Sequence, residues 1–285
     1  MRIIVTGAAG LVGSAIVERL RGAHEVVGVD LRAASTVAVQ ADCFDVADWA
    51  PSLGSTDAVV HVAALHAPHV GHFSDAEFRR TNVEATAHLI DFARHAGARR
   101  FVLTSSTSVY GHALVSPDRA VWLDEQLAPE PRDIYDRTKL AAEQIVAAAA
   151  DSSLTTTILR MSRCFPEAES AMALYRLYRG IDRRDVAEAH SRAVESVAGP
   201  SRTFVISAAT PFQRSDCAEL LHDAPSVIER RCPGLIDRFA RRGWPPPRSI
   251  DRVYVAGAAA EGLGFRPRFG IDACLADDWD PVPTD

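Results

Sequence analysis

A Rossmann-like doubly wound α/β fold, with a parallel sheet and a small C-terminal lobe, is what this sequence predicts. Three observations predict it. Short apolar runs alternate with helical stretches through about residue 165. A glycine-spaced turn, Gly7-x-x-Gly10-x-x-Gly13, follows the first run directly. Several runs are almost continuously apolar, AVVHVAA at 58–64 above all, as in strands covered on both faces.

Residues 2–6, RIIVT, read as the first strand, and a helix follows from Leu11 to Arg21. EVVGVD (25–30) and DAVVHVAA (57–64) are the next strands. The apolar spacing predicts one helix from Asp75 to the stop at Gly97. FVLTSS (101–106) is a strand, Tyr135 to Ala150 a helix, and TTTILRMS (155–162) a strand. DVAEAHSRAVESV (185–197) reads as a helix with Asp182 and Asp185 as capping acids, and RTFVISA (202–208) as the last strand. Residues 165–184 and 208–250 break the alternation, with GWPPPRS among their punctuation. The expected division is a dinucleotide-binding domain over 1–164, with 185–207 and about 251–275 returning to it. Residues 165–184 and 208–250 form the substrate-binding lobe over the sheet's carboxyl edge.

Composition narrows the function. The 285 residues are 47% hydrophobic and 24% charged, with a formal net charge of −6. That charge favours neither nucleic acid nor an anionic membrane as partner. The five cysteines (43, 164, 217, 232, 274) form no CxxC, so neither a disulfide framework nor a zinc site is expected. Reduced thiols, a first strand that starts at once and no membrane-length apolar run lead to the expectation of a cytoplasmic protein.

The glycine turn carries the first chemistry. A tight strand-to-helix turn that admits a pyrophosphate excludes side chains, and the helix start at Leu11, Val12 and Gly13 offers free N–H groups to the phosphates. Asp30 ends the second strand. Its carboxylate suits ribose hydroxyls and repels a 2′-phosphate, which favours NAD. Arg32, two residues on, leaves NADP open.

Lys139 is the only lysine beside 30 arginines, and it lies four residues after Tyr135. The two share a helix face. A phenol near pKa 10 is a poor base at neutral pH, and a neighbouring ammonium would lower it. Lysine's compact head also suits ribose hydroxyls better than a planar guanidinium. Ser106, ending the FVLTSS strand, could hold a substrate oxygen beside Tyr135.

TGAAGLVG (6–13), Asp30, HVAA (61–64), Asn82, TSSTSVYG (104–111) and YDRTK (135–139) resemble the extended short-chain dehydrogenase/reductase family, of NAD-dependent epimerase/dehydratase type. The resemblance covers about residues 1–165 and returns at RRDVAEA (183–189) and GLGFRPRFGIDACL (262–275). It implies that Tyr135 is the acid/base, that Lys139 lowers its pKa and binds ribose, and that Ser106 orients the substrate. It places Asp42 and Cys43 against adenine, Ala63 and Ala64 along the pyrophosphate and ribose, and Asn82 where the active site is organised. Homodimers built on the helices around 80–96 and 135–150 are implied in the same way.

Within the family, 4,6-dehydratases carry Asp-Glu after the catalytic hydroxyl; here Thr107 and Ser108 follow Ser106, which disfavours dehydration. The expectation is an NAD-dependent oxidoreductase or epimerase acting on a hydroxyl of a sugar or nucleotide sugar, with Ser106, Thr107, Arg163 and Arg248 toward the substrate. Arg248 aligns with the segment where relatives contact a diphosphate. LRMSRCFPE (159–167) also resembles uronate dehydrogenases, so a free sugar acid is the alternative substrate; Ala171 or Met172 stands where their carboxylate-binding arginine would be, and Arg163, Arg176 or Arg179 could substitute. A non-catalytic NAD(P)-binding sensor is the other alternative. His66, His69 and His72 invite a metal reading, but no acid or thiol accompanies them, and no metal is expected. Their loop is expected to border the substrate pocket and to bring one of the three to the substrate. His61, inside a strand, reads as packed and hydrogen-bonded.

Overall fold

The computed structural model describes residues 1–196, 199 and 201–276. The strands among these residues are β1 (Arg2–Thr6), β2 (Glu25–Asp30), β3 (Val39–Gln40), β4 (Ala58–His61), β5 (Arg100–Ser106), β6 (Val121–Leu123), β7 (Thr155–Met161), β8 (Ser201–Ile206) and β9 (Arg252–Tyr254). Seven of them form one sheet in the order β3-β2-β1-β4-β5-β7-β8. Every pairing in it is parallel. The chain leaves β1 for β2 on one side and returns to β4 on the other. The crevice beyond the carboxyl ends of β1 and β4 is therefore the topological switch point, where doubly wound sheets bind ligands.

The period-2 alternation of side chains sorts the sheet's residues onto two faces. Ile3, Val5, Val60 and Val102 pack under α1 (Leu11–Arg21) and a later helix, Arg183–Glu195. Ile4, Val59, Phe101 and Leu103 pack under α2 (Val46–Trp49) and the long helices that follow. The stretch predicted as one helix from Asp75 to Gly97 is α3 (Asp75–Arg79) and α4 (Ala85–His95), joined by a π turn at Arg80–Glu84. Such an inserted residue breaks the 3.6 period locally and commonly marks a functional segment. Gly97 stops it with φ 78°, the left-handed geometry that glycine adopts without strain. Next come α5 (Ile134–Ala148), α6 (Glu169–Tyr175) and α7 (Arg183–Glu195). The expected 185–197 helix thus begins earlier, and its Val197 lies outside the described residues.

Beyond β8 the helices shorten: α8 (Cys217–His222), α9 (Ala224–Arg231), α10 (Leu235–Arg241), α11 (Gly257–Gly262) and α12 (Ile271–Cys274). Leu177, Phe212, Leu220, Ile228, Phe239 and Ile250 form a separate apolar cluster. It also takes in Ala120, Val253 and Leu275, from outside the segments assigned to the lobe by sequence. The small parallel ladder β6–β9 accompanies it. Ala259, Leu263 and Phe265 return to the main core. Asp182 caps α7 through the N–H of Arg184 at 2.9 Å. Asp185 instead accepts the N–H groups of Arg268 and Phe269, at 2.8 and 2.9 Å, and pins the C-terminal segment to that helix.

Candidate active site

A cleft of about 1180 Å³ opens at the switch point. At one end lies the glycine turn. Gly7 has φ 71°, and a Cβ there would meet Ala63 N at 2.7 Å. A Cβ on Gly13 would sit 1.9 Å from Gly7 O. The first glycine thus lets β4's exit loop come close, and the third seats the helix on the turn. Gly10 caps α1 without a side chain, and the first turn has no acid, so the N–H groups after it face the cleft beside Leu11 and Val12.

Asp30 closes this end. Its Oδ2 accepts the N–H of Ala9 at 3.0 Å and its Oδ1 that of Arg32 at 2.9 Å. The Arg32 guanidinium, left open as a 2′-phosphate ligand, approaches the same carboxylate at 3.8 Å. A 2′-phosphate there would face Asp30 as well. Asp42, Cys43, Ala63 and Ala64 line the cleft beyond it. Burial pushes the Cys43 thiol up to about 12.

Buried hydroxyls join this end to the rest of the cleft. Thr86 Oγ1 donates to Asn82 O at 2.7 Å, so it accepts from His61 Nε2 at 3.1 Å. His61 Nδ1 then accepts from Thr6 Oγ1 at 2.7 Å, and Thr6 accepts the N–H groups of Val62 and Ala63. This bend ends β4 earlier than the apolar run suggested. His61 is held neutral, its pKa lowered to about 3 by burial and then by Lys139. Asn82 lies one layer behind the cleft instead of lining it. Its amide clips both backbone groups of Leu65, each at 2.8 Å, and reaches Thr138 Oγ1 at 3.1 Å.

Ser106, Tyr135 and Lys139 all line the cleft. Ser106 ends β5, and its Oγ accepts the N–H of Ser108 at 3.0 Å. The Ser106 side chain lies close enough to Tyr135 to favour its phenolate. Lys139 Nζ donates to Thr104 O at 2.6 Å. The phenol is not acidified as the sequence led one to expect. Burial pushes it up to about 12 against the Ser106 side chain, with Asp136 and Asp133 adding to the rise, and Lys139 is not among the causes. Burial lowers Lys139 to about 8, opposed by Glu143. Glu143, four residues further along α5, is buried with its carboxylate accepting from Ser105 Oγ and from Arg160, whose Nη2 lies at 2.7 Å. Arg160 continues to Tyr110 Oη at 3.0 Å. The i, i+4 repeat Tyr135–Lys139–Glu143 was the sequence signal for this missed network.

At the substrate end, Thr107 lines the cleft while its hydroxyl donates to Met161 O at 3.3 Å. Arg163 is there too, its guanidinium forked onto Glu167 with two 2.7 Å bonds. Arg248 is not brought to the cleft. It is exposed, and its carbonyl receives the N–H of Ala224. Arg252 and Arg179 line the wall instead. Arg252 pairs with Asp251 at 2.6 Å. The Arg179 guanidinium lies 4.1 Å from the centroid of the Tyr175 ring, and its Nε is buried with no hydrogen-bond partner. His66 and His69 line the cleft with ring centroids 4.2 Å apart, and His66 stacks on Phe165. Among the described residues, no three of His, Cys, Asp or Glu are grouped to hold a metal ion. No described helix is long and apolar enough to cross a membrane.

The glycine turn, the helix start left without a side-chain cap and Asp30 at the switch point define a dinucleotide-binding α/β protein. The chain belongs to the NAD dependent epimerase/dehydratase family, whose profile matches residues 3–174. The turn, with Leu11, Val12 and Asp30 lining the cleft beside it, fits the NAD that this family uses. It is similar to the 3 beta-hydroxysteroid dehydrogenase/Delta 5→4-isomerase of Mycobacterium tuberculosis, at 33% identity over 97% of this chain and 89% of that protein. UDP-glucuronic acid decarboxylase 1 of Arabidopsis thaliana is 31% identical over 51% of this chain, and the match spans only 35% of that relative's length. Among solved structures, MoeE5 in complex with UDP-glucose and NAD superposes with a TM-score of 0.70 at 25% identity, covering 96% of each chain. A short-chain dehydrogenase/reductase superfamily protein from Agrobacterium tumefaciens with bound NAD gives 0.73 at 23% identity, covering 96% of this chain and 95% of that one.

Proposed function

We propose that the protein is an NAD-dependent oxidoreductase or epimerase acting on a hydroxyl of a sugar or nucleotide sugar. The observation that carries this reading is the convergence of Ser106, Tyr135 and Lys139 in the cleft that also holds the glycine turn. NAD, when bound, supplies the hydride acceptor or donor. Ser106 orients the substrate oxygen, and Tyr135 exchanges the proton with it. Lys139 holds ribose hydroxyls with the protons not given to Thr104 O. A phenol near 12 is fully protonated at neutral pH, so Tyr135 is ready to donate to a carbonyl oxygen. Taking a proton from an alcohol needs added positive charge beside it, from Lys139 and an oxidised nicotinamide.

The substrate end supports an anionic partner. Glu167 and Asp251 neutralise Arg163 and Arg252, while no described carboxylate pairs with Arg179. A guanidinium that lines the cleft without a carboxylate at ion-pair distance favours a ligand oxyanion, supplied by a diphosphate or by the carboxylate of a free sugar acid. The second reading, a neutral hydroxysteroid, is favoured by the mycobacterial relative that covers most of the chain. We place the enzyme in the cytoplasm as a homodimer on α4 and α5, following the family resemblance.

The test is a thermal-shift screen with NAD and NADP, then with UDP, GDP, dTDP, sugar acids and a 3β-hydroxysteroid. Positive ligands then enter a turnover assay. Free NADH accumulating identifies a dehydrogenase; retained cofactor without net redox change identifies an epimerase. Bound NAD with no turnover that Tyr135→Phe removes, across the panel, would leave a non-catalytic sensor and end the enzymatic reading.

A further inference from the structure

The π turn at Arg80–Glu84 serves both ends of the cleft. Asn82 ties the loop after β4 to α5, as described. Arg80, the turn's first residue, points the other way, onto the loop after β3. Its Nη1 donates to Asp42 Oδ2 at 2.8 Å, and its Nη2 lies 3.7 Å from Asp45 Oδ2. Its guanidinium lies 3.9 Å from the centroid of the Phe44 ring. The other oxygen of Asp42 accepts the N–H of Phe44 at 2.9 Å, and the Asp42 carbonyl receives the indole N–H of Trp49 at 3.0 Å. Asp42 is therefore fixed at both carboxylate oxygens and at its backbone. Asp42 and Arg80 both line the cleft, as does Asp30.

An isolated, half-exposed ion pair contributes little. This one differs in kind: the guanidinium is stacked on a ring, shared between two acids, and anchored on the turn that buries Asn82. We infer that Arg80 is a positioning residue that fixes Asp42 as the acceptor reading the exocyclic amine of the cofactor's adenine. The inference rests on the reading of this cleft as an NAD site with Asp42 beside the base. A carboxylate brought against a base loses water; the guanidinium holds one of its oxygens and stops it rotating out to solvent. A held carboxylate accepts from an amine and repels a carbonyl oxygen in the same place. Base discrimination is thus the property that Arg80 sets, more than dinucleotide affinity as a whole.

The experiment is a binding titration with two probes, NAD and nicotinamide hypoxanthine dinucleotide, in which a carbonyl oxygen replaces the amine. It compares the unaltered protein with Arg80→Met, Arg80→Lys and Asp42→Asn; melting without dinucleotide confirms that each variant is folded. The unaltered protein should prefer NAD by about tenfold, the scale of one charge-assisted hydrogen bond. Arg80→Met should weaken NAD by roughly five- to tenfold and the hypoxanthine form much less, so that the preference nearly vanishes. Arg80→Lys, which keeps the charge but not the fork, should fall between. Equal weakening of both dinucleotides by Arg80→Met, or no weakening, overturns the inference. Asp42→Asn swaps the charged acceptor for a neutral amide that can also turn its NH2 to a carbonyl, so it should lose most of the preference; retaining it in full removes the premise that a held carboxylate sets the discrimination. None of these outcomes depends on Tyr135 or on turnover, so the catalytic reading stands or falls separately.

Discussion

The two ends of the cleft are built by different means. At the cofactor end the parts are backbone and short side chains: a glycine turn, a helix start, Thr6, His61 and Asp30. All are fixed by the parallel sheet, so their positions follow from the strand register Thr6↔His61. At the substrate end the parts are long side chains, Arg163, Arg179 and Arg252, carried by short segments that border a separate apolar cluster. The first arrangement tolerates almost no change in volume. The second can exchange one guanidinium for another and re-aim the site. That difference fits a fold that keeps one cofactor and varies its substrates.

Substitutions can sharpen or break this contrast. The largest effect should come from Tyr135→Phe, with turnover falling about 10²- to 10⁴-fold. Its NAD dissociation constant should stay within roughly twofold, since the acid/base hydroxyl is the only group removed. Gly13→Ala comes next. Its Cβ would lie 1.9 Å from Gly7 O, so the turn must shift, at about 1–3 kcal/mol of stability. NAD affinity should drop by more than about tenfold as the helix start moves. An Ala variant that bound NAD normally would show the cofactor end to be as adaptable as the lobe.

Arg179→Met should raise KM for an anionic substrate by about tenfold with little change in kcat, because it removes binding common to ground and transition states. Equal KM values for the variant and the unaltered protein would assign the anion elsewhere. Lys139 offers a stability test with a definite sign. Its folded pKa of about 8 lies below the ordinary 10.5. Between these values the unfolded chain holds a proton that the native protein has lost, so stability rises with pH across that window. Lys139→Met should therefore melt higher at pH 7, by about 1–2 kcal/mol after the lost Thr104 bond, and the rise between pH 8 and 10.5 should flatten. Arg248→Ala should change KM less than about twofold, as an exposed residue outside the cleft.

The sheet half was legible because its signals are local. β-branched runs, a glycine turn directly after one of them and an i, i+4 pair each fix geometry over a few residues. What escaped notice lacked such a signal. The strands β3, β6 and β9 have two or three residues, too few for any period. The π turn is a one-residue insertion inside an otherwise regular apolar pattern. Arg248 could be placed by alignment of its segment, but the side to which its loop turns depends on the lobe's packing. In a chain with 30 arginines, residue type could not single out Arg179. Spacing put Tyr135 and Lys139 on one helix face, yet burial decides the phenol's proton affinity, and burial is a tertiary property.

The five cysteines, all unpaired, give the molecule internal clocks. Burial raises every one of their thiols above the ordinary value, and the thiolate is the form that alkylates. The buried Cys43, Cys217 and Cys274 should react fully with iodoacetamide only when their surroundings open, and the half-buried Cys164 and Cys232 sooner. Cys43 belongs to the core beneath the sheet, whereas Cys217 and Cys232 sit in the lobe's cluster. Labelling rates followed site by site by mass spectrometry would thus time the opening of the two halves independently within one native chain.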